Sequence, residues 1–156
     1  MKFKHLLEQW NLKKLKISAG FLDMEWEPQN EDRAAAWDLY VELLTRVATQ
    51  HLVPGQGTEK AALDSIYALF AITRETIRRN GPRCINFAKL AIVVLNQVVR
   101  PFTTKWHAPL AAGPLSPEQV IAFRRELLAV QAELKQYTRA LADMAQVEDL
   151  TGLEEA

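Results

Sequence analysis

The fold is decided by one stretch in the middle of the chain, Arg100-Pro101-Phe102-Thr103-Thr104-Lys105-Trp106-His107-Ala108-Pro109. It follows the most apolar segment, residues 83–99, and combines prolines and basic residues with aromatic side chains and a histidine. Because proline cannot donate the backbone hydrogen bond of a helix interior, we expect Pro101 to end the preceding helix. Residues 101–115 are therefore predicted to form a loop. That loop is either a rigid plug over a helical core or an exposed recognition surface.

The segment before this loop is predicted to be a helix that is apolar on almost every side. Such a helix lies at the centre of its fold or is covered by another subunit. Its apolar part is interrupted by Lys89 and Asn96 and is shorter than the ~20 residues that cross a bilayer, so we expect no membrane span. The single cysteine, Cys84, lies within this pattern and is expected to be a buried thiol. A lone cysteine and no leader-like apolar run near the N-terminus predict a cytoplasmic protein.

A long helix is predicted after the loop, beginning at Ser116-Pro117-Glu118-Gln119. This order of residues is typical of a capping box with proline at the first helical position. Apolar residues then recur at alternating steps of three and four, which is a heptad seam. The seam consists of Val120, Phe123, Leu127, Val130, Leu134, Tyr137, Leu141 and Met144. A seam this narrow is typical of a bundle helix or of an intermolecular coiled coil, and the sequence leaves both open.

Two further helices are predicted before the central segment. The first runs from about residue 30 to near His51, and its apolar stripe consists of Trp37, Tyr40, Val41, Leu44, Val47 and Ala48. The second begins after an N-cap at Thr58 and ends at Gly81, which is followed by proline. With the central segment and the long helix, they make about four main helices.

The N-terminal residues are predicted to form a short helix followed by a β-hairpin. Polar and apolar residues alternate on both sides of Ala19-Gly20, which is the pattern of two strands joined by a tight turn. In this register Lys14 would face Glu25, and Lys16 would face Asp23. Carboxylates that are paired in this way are more typical of a strand surface than of a catalytic or metal-binding cluster.

The whole pattern predicts a mainly α protein with a single domain over residues 1–146. Within it, residues 1–28 hold the short helix and hairpin, residues 30–146 form the bundle, and residues 147–156 follow as an acidic tail. The formal net charge is zero, with 19 basic and 19 acidic residues, so the chain as a whole has no attraction to nucleic acid or to an anionic membrane. The basic N-terminal segment and the acidic tail are either solvated ends that attract each other weakly or a means of docking a partner.

The sequence lacks the residue patterns of the common catalytic sites. The histidines are far apart, and none has a histidine or cysteine partner at the spacing of a metal site. The patterns of a phosphate-binding loop and of a nucleophile elbow are also absent. We therefore predict a protein that is not an enzyme and that needs no metal or cofactor.

Ten residues are predicted to form interaction surfaces, namely Arg74, Arg78, Arg100, Phe102, Lys105, Trp106, His107, Phe123, Leu127 and Leu134. For the basic residues the alternative is a solvated helix end, where cations complement the helix dipole. For the loop the alternative is that its aromatic side chains are lids on the core.

Two other functional interpretations stay open. One is a small-ligand sensor or enzyme that binds an anion or nucleotide in a pocket formed by Arg74, Arg78, Lys105 and His107. The other is a nucleic-acid-binding regulator that uses Trp106 beside cations, which the neutral net charge disfavours.

The runs Thr76-Ile77-Arg78-Arg79-Asn80-Gly81-Pro82 and Ile92-Val93-Val94-Leu95-Asn96-Gln97-Val98-Val99-Arg100-Pro101-Phe102-Thr103-Thr104-Lys105-Trp106-His107 resemble small bacterial proteins encoded in antiphage conflict operons. The resemblance is to proteins associated with caspase-like and tetratricopeptide-repeat systems, extends over about residues 20–150, and includes no catalytic motif. It implies an accessory subunit that works with a larger effector or sensor. The prediction is therefore a non-enzymatic adaptor that binds a larger protein or forms a homo-oligomer.

Overall fold

The computed structural model describes residues 1–46 and 58–155, which form a bundle of α-helices. The helices are α1 (Phe3–Gln9), α2 (Ala19–Leu22), α3 (Asn30–Leu44), α4 (Glu59–Asn80), α5 (Ile85–Val94), α6 (Arg100–Ala112) and α7 (Pro117–Ala145). A π-helical turn, Leu95–Val99, joins α5 to α6, and a 3₁₀-helix, Thr151–Glu155, follows α7. The mainly α bundle is confirmed, with α3, α4, the α5–α6 unit and α7 as its main members.

The seam of α7 forms one wall of the core. Its residues Phe123, Leu127, Leu134 and Leu141 are at most 1% exposed, and α7 packs mainly against α3. The predicted capping box starts this helix, since Ser116 Oγ accepts from the Gln119 N–H at 3.2 Å and the Gln119 side chain accepts from the Ser116 N–H at 2.9 Å. Within this chain, therefore, the seam is a bundle seam.

The predicted loop over residues 101–115 is wrong, because the helix continues through Pro101. In the π-helical turn the Arg100 N–H donates to the carbonyl of Leu95, five residues back instead of four. This wider turn places Pro101 in the first turn of α6, where the missing N–H costs least. Helical structure then extends to Ala112, with Pro109 inside α6.

The predicted β-hairpin is not formed. Ala19-Gly20 begins the short helix α2, and the β pairing in the described ranges is one isolated bridge between Lys2 and Glu25. Residues 15–17 form neither helix nor strand and lie on the bundle, with Leu15 and Ile17 partly buried against the core and Lys16 between them exposed. Alternate residues of this segment therefore face the bundle and the solvent, which gives the two-residue period that also marks a strand.

Side chains of the bundle hold this N-terminal segment in place. The Gln97 amide bonds both backbone groups of Lys16, at 2.7 and 2.5 Å. Lys14 Nζ lies 3.4 Å from Glu133, instead of facing Glu25 as the hairpin required. Because Gln97 is in the π-helical turn and Glu133 is in α7, the segment crosses between the two.

The apolar stripe predicted for α3 is confirmed in part, because Tyr40 is buried and Leu44 packs against the core. Val47 and Ala48 lie outside the described residues. Trp37 and Val41 are 46% and 40% exposed, whereas the buried face consists of Ala35, Ala36, Leu39, Tyr40 and Leu43. Small alanine side chains face inward here, so α3 can approach its neighbours closely. The predicted end near His51 lies outside the described residues.

Both predicted ends of α4 are confirmed. Thr58 Oγ1 accepts from the Ala61 N–H at 3.1 Å, as an N-cap does. Gly81 has φ +78° and ψ −176°, a positive-φ conformation that glycine adopts without a steric penalty.

A buried carboxylate ties the start of α3 to the start of α5. Asp32 has no exposed surface and accepts hydrogen bonds from the Gln29 N–H at 2.7 Å, the Phe87 N–H at 2.8 Å and the Asn86 amide at 3.1 Å. These donors include free N–H groups at two helix N-termini, where a carboxylate is stabilised most.

The segment after α7 packs against the bundle. The Tyr40 hydroxyl donates to the carbonyl of Glu148 at 3.1 Å and accepts from the Leu150 N–H at 2.7 Å. Thr151 is 1% exposed and receives a hydrogen bond from Arg139. Residues 147–151 of the acidic tail therefore have a defined position beside α3 and α7.

The helical stretch Ile85–Ala112 is, by length and composition, apolar enough to cross a membrane. It has 28 residues, whereas the sequence predicted a helix that ended at Val99. However, 44% of its most apolar window is buried inside the protein, and core helices of soluble proteins have the same properties. The observation is thus weak evidence for a membrane span.

Candidate functional site

Five of the ten predicted interaction residues belong to the core. They are at most 5% exposed, namely Phe102, Trp106, Phe123, Leu127 and Leu134. The first two face inward because residues 100–112 are helical, and positions four apart on a helix project to the same side. These side chains hold α6 against α7 and do not form a surface for a partner.

Trp106 is a lid on this core. Its ring packs edge-to-face on Phe123 with 5.2 Å between ring centroids, and its Nε1 donates to Glu126 at 2.5 Å. Lys105 also bonds Glu126. Burial raises the pKa of Glu126, but the hydrogen bonds from Lys105 and Trp106 outweigh it, so the pKa lies below its usual value. The polar end of the indole is thus satisfied within the chain.

The predicted anion pocket is not assembled. Lys105 pairs with α7 through Glu126, whereas His107 packs against Tyr67 of α4 with 4.7 Å between ring centroids. Two residues apart on a helix means ~200° around its axis, so Lys105 and His107 point to opposite sides of α6. Arg74 and Arg78 are on α4, so they lie on the same side of α6 as His107 and not on the side of Lys105.

On that side, basic and aromatic residues form a surface that we call the arginine ledge. It consists of Tyr67, Phe70, Arg74 and Arg78 on α4, and of Arg100 and His107 on α6. The Arg100 guanidinium lies 4.8 Å from the centre of the Phe70 ring, a cation–π distance. With the Tyr67–His107 contact, this shows that the two helices run antiparallel, so Arg74 lies one turn beyond Phe70 toward the π-helical turn.

Among the described residues, the ion pairs within 4.0 Å that involve arginine belong to Arg46, Arg79, Arg83, Arg124 and Arg139, and so to no arginine of the ledge. Arg100 bonds the neutral Asn96 side chain, and Arg74 and Arg78 are exposed. Glu75, which is next to Arg74 and three residues before Arg78, offsets part of this charge. The ledge therefore presents arginines that have no close ion-pair partner in the described ranges.

A second surface, the apolar groove, lies where the N-terminal segment crosses between the π-helical turn and α7. Its floor consists of Leu15, Val98, Ala129, Val130 and Ala132, and its rim of Lys14, Lys16, Gln97 and Glu133. The volume is about 680 Å³. A further depression of about 260 Å³ shares Val98, Ala129 and Val130 and extends to Lys105 and Glu126.

Exposed apolar side chains on α7 enlarge this surface. Leu128 is 48% exposed and lies one turn from Ala132 of the groove floor. Ile121, which is 68% exposed, lies two turns before Leu128 on the same face. Exposed Arg125 lies between Ile121 and Leu128 on this face, so Leu128 is the apolar side chain beside the groove. Exposed apolar surface next to a groove marks an interaction site.

Sequence reasoning missed this groove. Its walls come from three segments that are far apart in the sequence, so no local pattern joins Leu15, Val98 and Val130. The available signal was that Ile121 and Leu128 are apolar but lie off the seam of α7.

The described residues include few groups that could bind a metal ion or act as a nucleophile. The described ranges hold no group of three or more His, Cys, Asp or Glu side chains placed to bind a metal ion. Cys84 is 1% exposed, and burial, followed by the charge of Asp32, raises the pKa of its thiol. The thiol is therefore protonated at neutral pH and inaccessible, which makes it a poor nucleophile.

Function has to be inferred from these surfaces. No protein-family model matches the chain, and neither a curated protein nor a solved structure matches it significantly.

Proposed function

We propose that this protein is a non-enzymatic adaptor that binds a segment of a larger protein in the apolar groove. The observation that carries the proposal is the groove itself, an open depression of about 680 Å³ with an apolar floor, and Leu128 is exposed one turn before Ala132 of that floor. Exposed apolar surface of this kind is unfavourable in water unless a partner covers it.

The dimensions and charges of the groove favour an amphipathic helix as the bound segment. The groove and its extension follow α7 from Glu126 to Glu133, which is two helical turns and ~10 Å. A helix laid beside α7 would bury apolar residues at positions i, i+3 and i+7 over the floor. Charged side chains stand at both ends, with Lys14 and Lys16 at one end and Lys105 at the other.

The resemblance to accessory proteins of antiphage operons supports the same function. An accessory subunit that works with a larger effector needs a binding surface and no catalytic centre. We therefore place the protein in the bacterial cytoplasm, away from the membrane, as a component of a defence complex.

A second candidate function is binding of a small anion or nucleotide, as a sensor. The observation that favours it is the arginine ledge, where Arg74 and Arg78 lack carboxylate partners among the described residues. The positions of Lys105 and His107 weigh against this function. Lys105 pairs with Glu126 of α7 and His107 packs against Tyr67 of α4, so the two side chains do not enclose one ligand pocket.

The test is capture of the partner by variants of the α7 surface. A tagged protein that carries Leu128→Asp and Ala132→Glu has two charges on the groove side, and both positions are exposed, so the fold should be retained. Trp37→Ala is the matched control, since it removes an exposed apolar side chain from α3.

We expect the wild type and the Trp37→Ala control to capture the same protein from lysate of the native host, and the α7 double variant to lose it. Circular dichroism and the melting temperature verify that all three are folded. The proposal fails if the double variant captures the same proteins in the same amounts, or if Trp37→Ala loses them too.

A further inference from the structure

The arginine ledge is a charged surface that the adaptor function does not use. It lies on the α4 side of α6, whereas the apolar groove lies on the α7 side. Its arginines recur at one-turn spacing, and Tyr67 at its end is 52% exposed. It can therefore receive a partner that carries both negative charge and apolar side chains.

The C-terminal tail of the same chain has this composition. Glu148, Asp149, Glu154 and Glu155 have no basic residue among them. Leu150 and Leu153 are 38% and 65% exposed.

The tail is also fixed in position by the bundle. Tyr40 holds the backbone at Glu148 and Leu150, and Thr151 is buried. A segment that is already ordered loses less entropy when it binds than a free chain end.

We propose that the arginine ledge of one copy of this protein binds the C-terminal tail of a second copy. Arg74, Arg78 and Arg100 pair with tail carboxylates, and Tyr67 covers the exposed leucines. Because the formal net charge is zero, two copies approach each other without overall repulsion. A two-fold axis between the copies makes the ledge–tail contact twice, which closes a dimer.

The contact depends on exposed ion pairs, so it is sensitive to salt. Raising NaCl from about 0.05 M to about 0.5 M shortens the Debye length from ~14 Å to ~4 Å. The closed dimer makes this contact twice, and six exposed pairs of ordinary strength correspond to about a hundredfold in the dissociation constant. We therefore expect the dissociation constant of the dimer to rise by up to about a hundredfold at the higher salt concentration.

Charge reversal tests the pairing directly. One variant carries Arg74→Glu and Arg78→Glu on the ledge, and the other carries Glu148→Lys, Glu154→Lys and Glu155→Lys on the tail, which leaves Asp149 as its one acidic side chain. Sedimentation velocity over a concentration series gives the oligomeric state of each variant alone and of the two in equal mixture. The matched control is Arg125→Glu, an exposed arginine of α7 outside the ledge.

Each reversed variant alone should be a monomer at concentrations at which the wild type and Arg125→Glu are dimers. The mixture should dimerise again, because a reversed ledge meets a reversed tail and an unchanged ledge meets an unchanged tail. A wild type that stays monomeric at low salt, or a dimer that neither reversal weakens, overturns the proposal.

The same variants also show whether the ledge binds a ligand other than the tail. A monomeric wild type whose melting temperature rises with ATP or with a single-stranded oligonucleotide, and not after Arg74→Glu and Arg78→Glu, also overturns it. Partner capture through Leu128 does not involve the ledge, so the outcome here and the outcome for the adaptor function are independent.

Discussion

Replacement of Trp106 by alanine separates a core lid from a partner anchor. Trp106 is 3% exposed, contacts Phe123 edge-to-face and donates to Glu126. Truncation of a buried tryptophan removes its transfer free energy and leaves a cavity, which costs about 3–5 kcal/mol. The free energy of unfolding should fall by that amount.

For a chain of this length each kcal/mol lowers the melting temperature by about 2–4 °C, so the shift should be about 6–20 °C. Trp106→Phe keeps most of the packing and loses the hydrogen bond to the Glu126 carboxylate, so it should cost about 2 kcal/mol. The order wild type, Trp106→Phe, Trp106→Ala is therefore the expected order of stability.

The free energy of unfolding is measured by urea unfolding followed by far-ultraviolet circular dichroism. Circular dichroism replaces tryptophan fluorescence because the substitutions themselves remove a fluorophore. The matched control is Trp37→Ala, which removes an indole that is 46% exposed and should cost less than about 1 kcal/mol. The reasoning is refuted if Trp106→Ala is as stable as the control, since a lid on the core cannot be removed without loss.

Three further predictions concern single groups. Asp32→Ala removes the carboxylate that three interior N–H groups donate to, and should lower the free energy of unfolding in urea by more than about 3 kcal/mol. A loss under about 1 kcal/mol would contradict these three hydrogen bonds. Burial raises the pKa of Glu126, but its hydrogen bonds lower the pKa by more, so the net value lies below that of an unfolded glutamate. The ionised Glu126 side chain therefore stabilises the fold above the usual glutamate pKa, and this stabilisation is lost as pH falls through the lowered value. Stability measured between pH 7 and about pH 3 should therefore fall less steeply in Glu126→Gln than in the wild type, and equal slopes would be the wrong outcome. Gly81→Ala meets no atom within 4 Å of the added Cβ, so its cost is that of the backbone at φ +78° and ψ −176° alone, about 1–3 kcal/mol in thermal unfolding, and a larger loss would indicate a steric conflict.

Local signals predicted the helix ends, because their causes are local. Thr58, Gly81 and Ser116 act on backbone groups within three or four residues, and each is found where the sequence places it. The buried seam of α7 was likewise predictable from its spacing, although whether it faced its own bundle or another chain was not.

The failures come from tertiary packing. Pro101 is a helix breaker by its local chemistry, but a π-helical turn absorbs it, and Phe102 and Trp106 then pack into the core from the extended helix. The alternation around Leu15 indicated a strand, whereas the segment is an irregular stretch whose alternate residues Leu15 and Ile17 pack on the bundle.

The candidate site was harder to predict than the fold. The sequence favoured large residues such as Trp106 and Leu127 as contact points, and the core contains both. Of the predicted residues, Arg74, Arg78, Arg100 and His107 share a surface, and Lys105 lies on the other side of α6. The apolar groove depends on the crossing of three distant segments, which only the folded chain shows.

Photo-crosslinking tests the adaptor function most directly. A benzophenone amino acid in place of Leu128 lies beside the apolar groove, and the same amino acid in place of Trp37 lies on α3. We predict that in native-host cells the probe at position 128 crosslinks to one protein, through an amphipathic segment, and that the probe at position 37 does not. No crosslink from position 128, or an equal yield of the same product from position 37, would contradict the account.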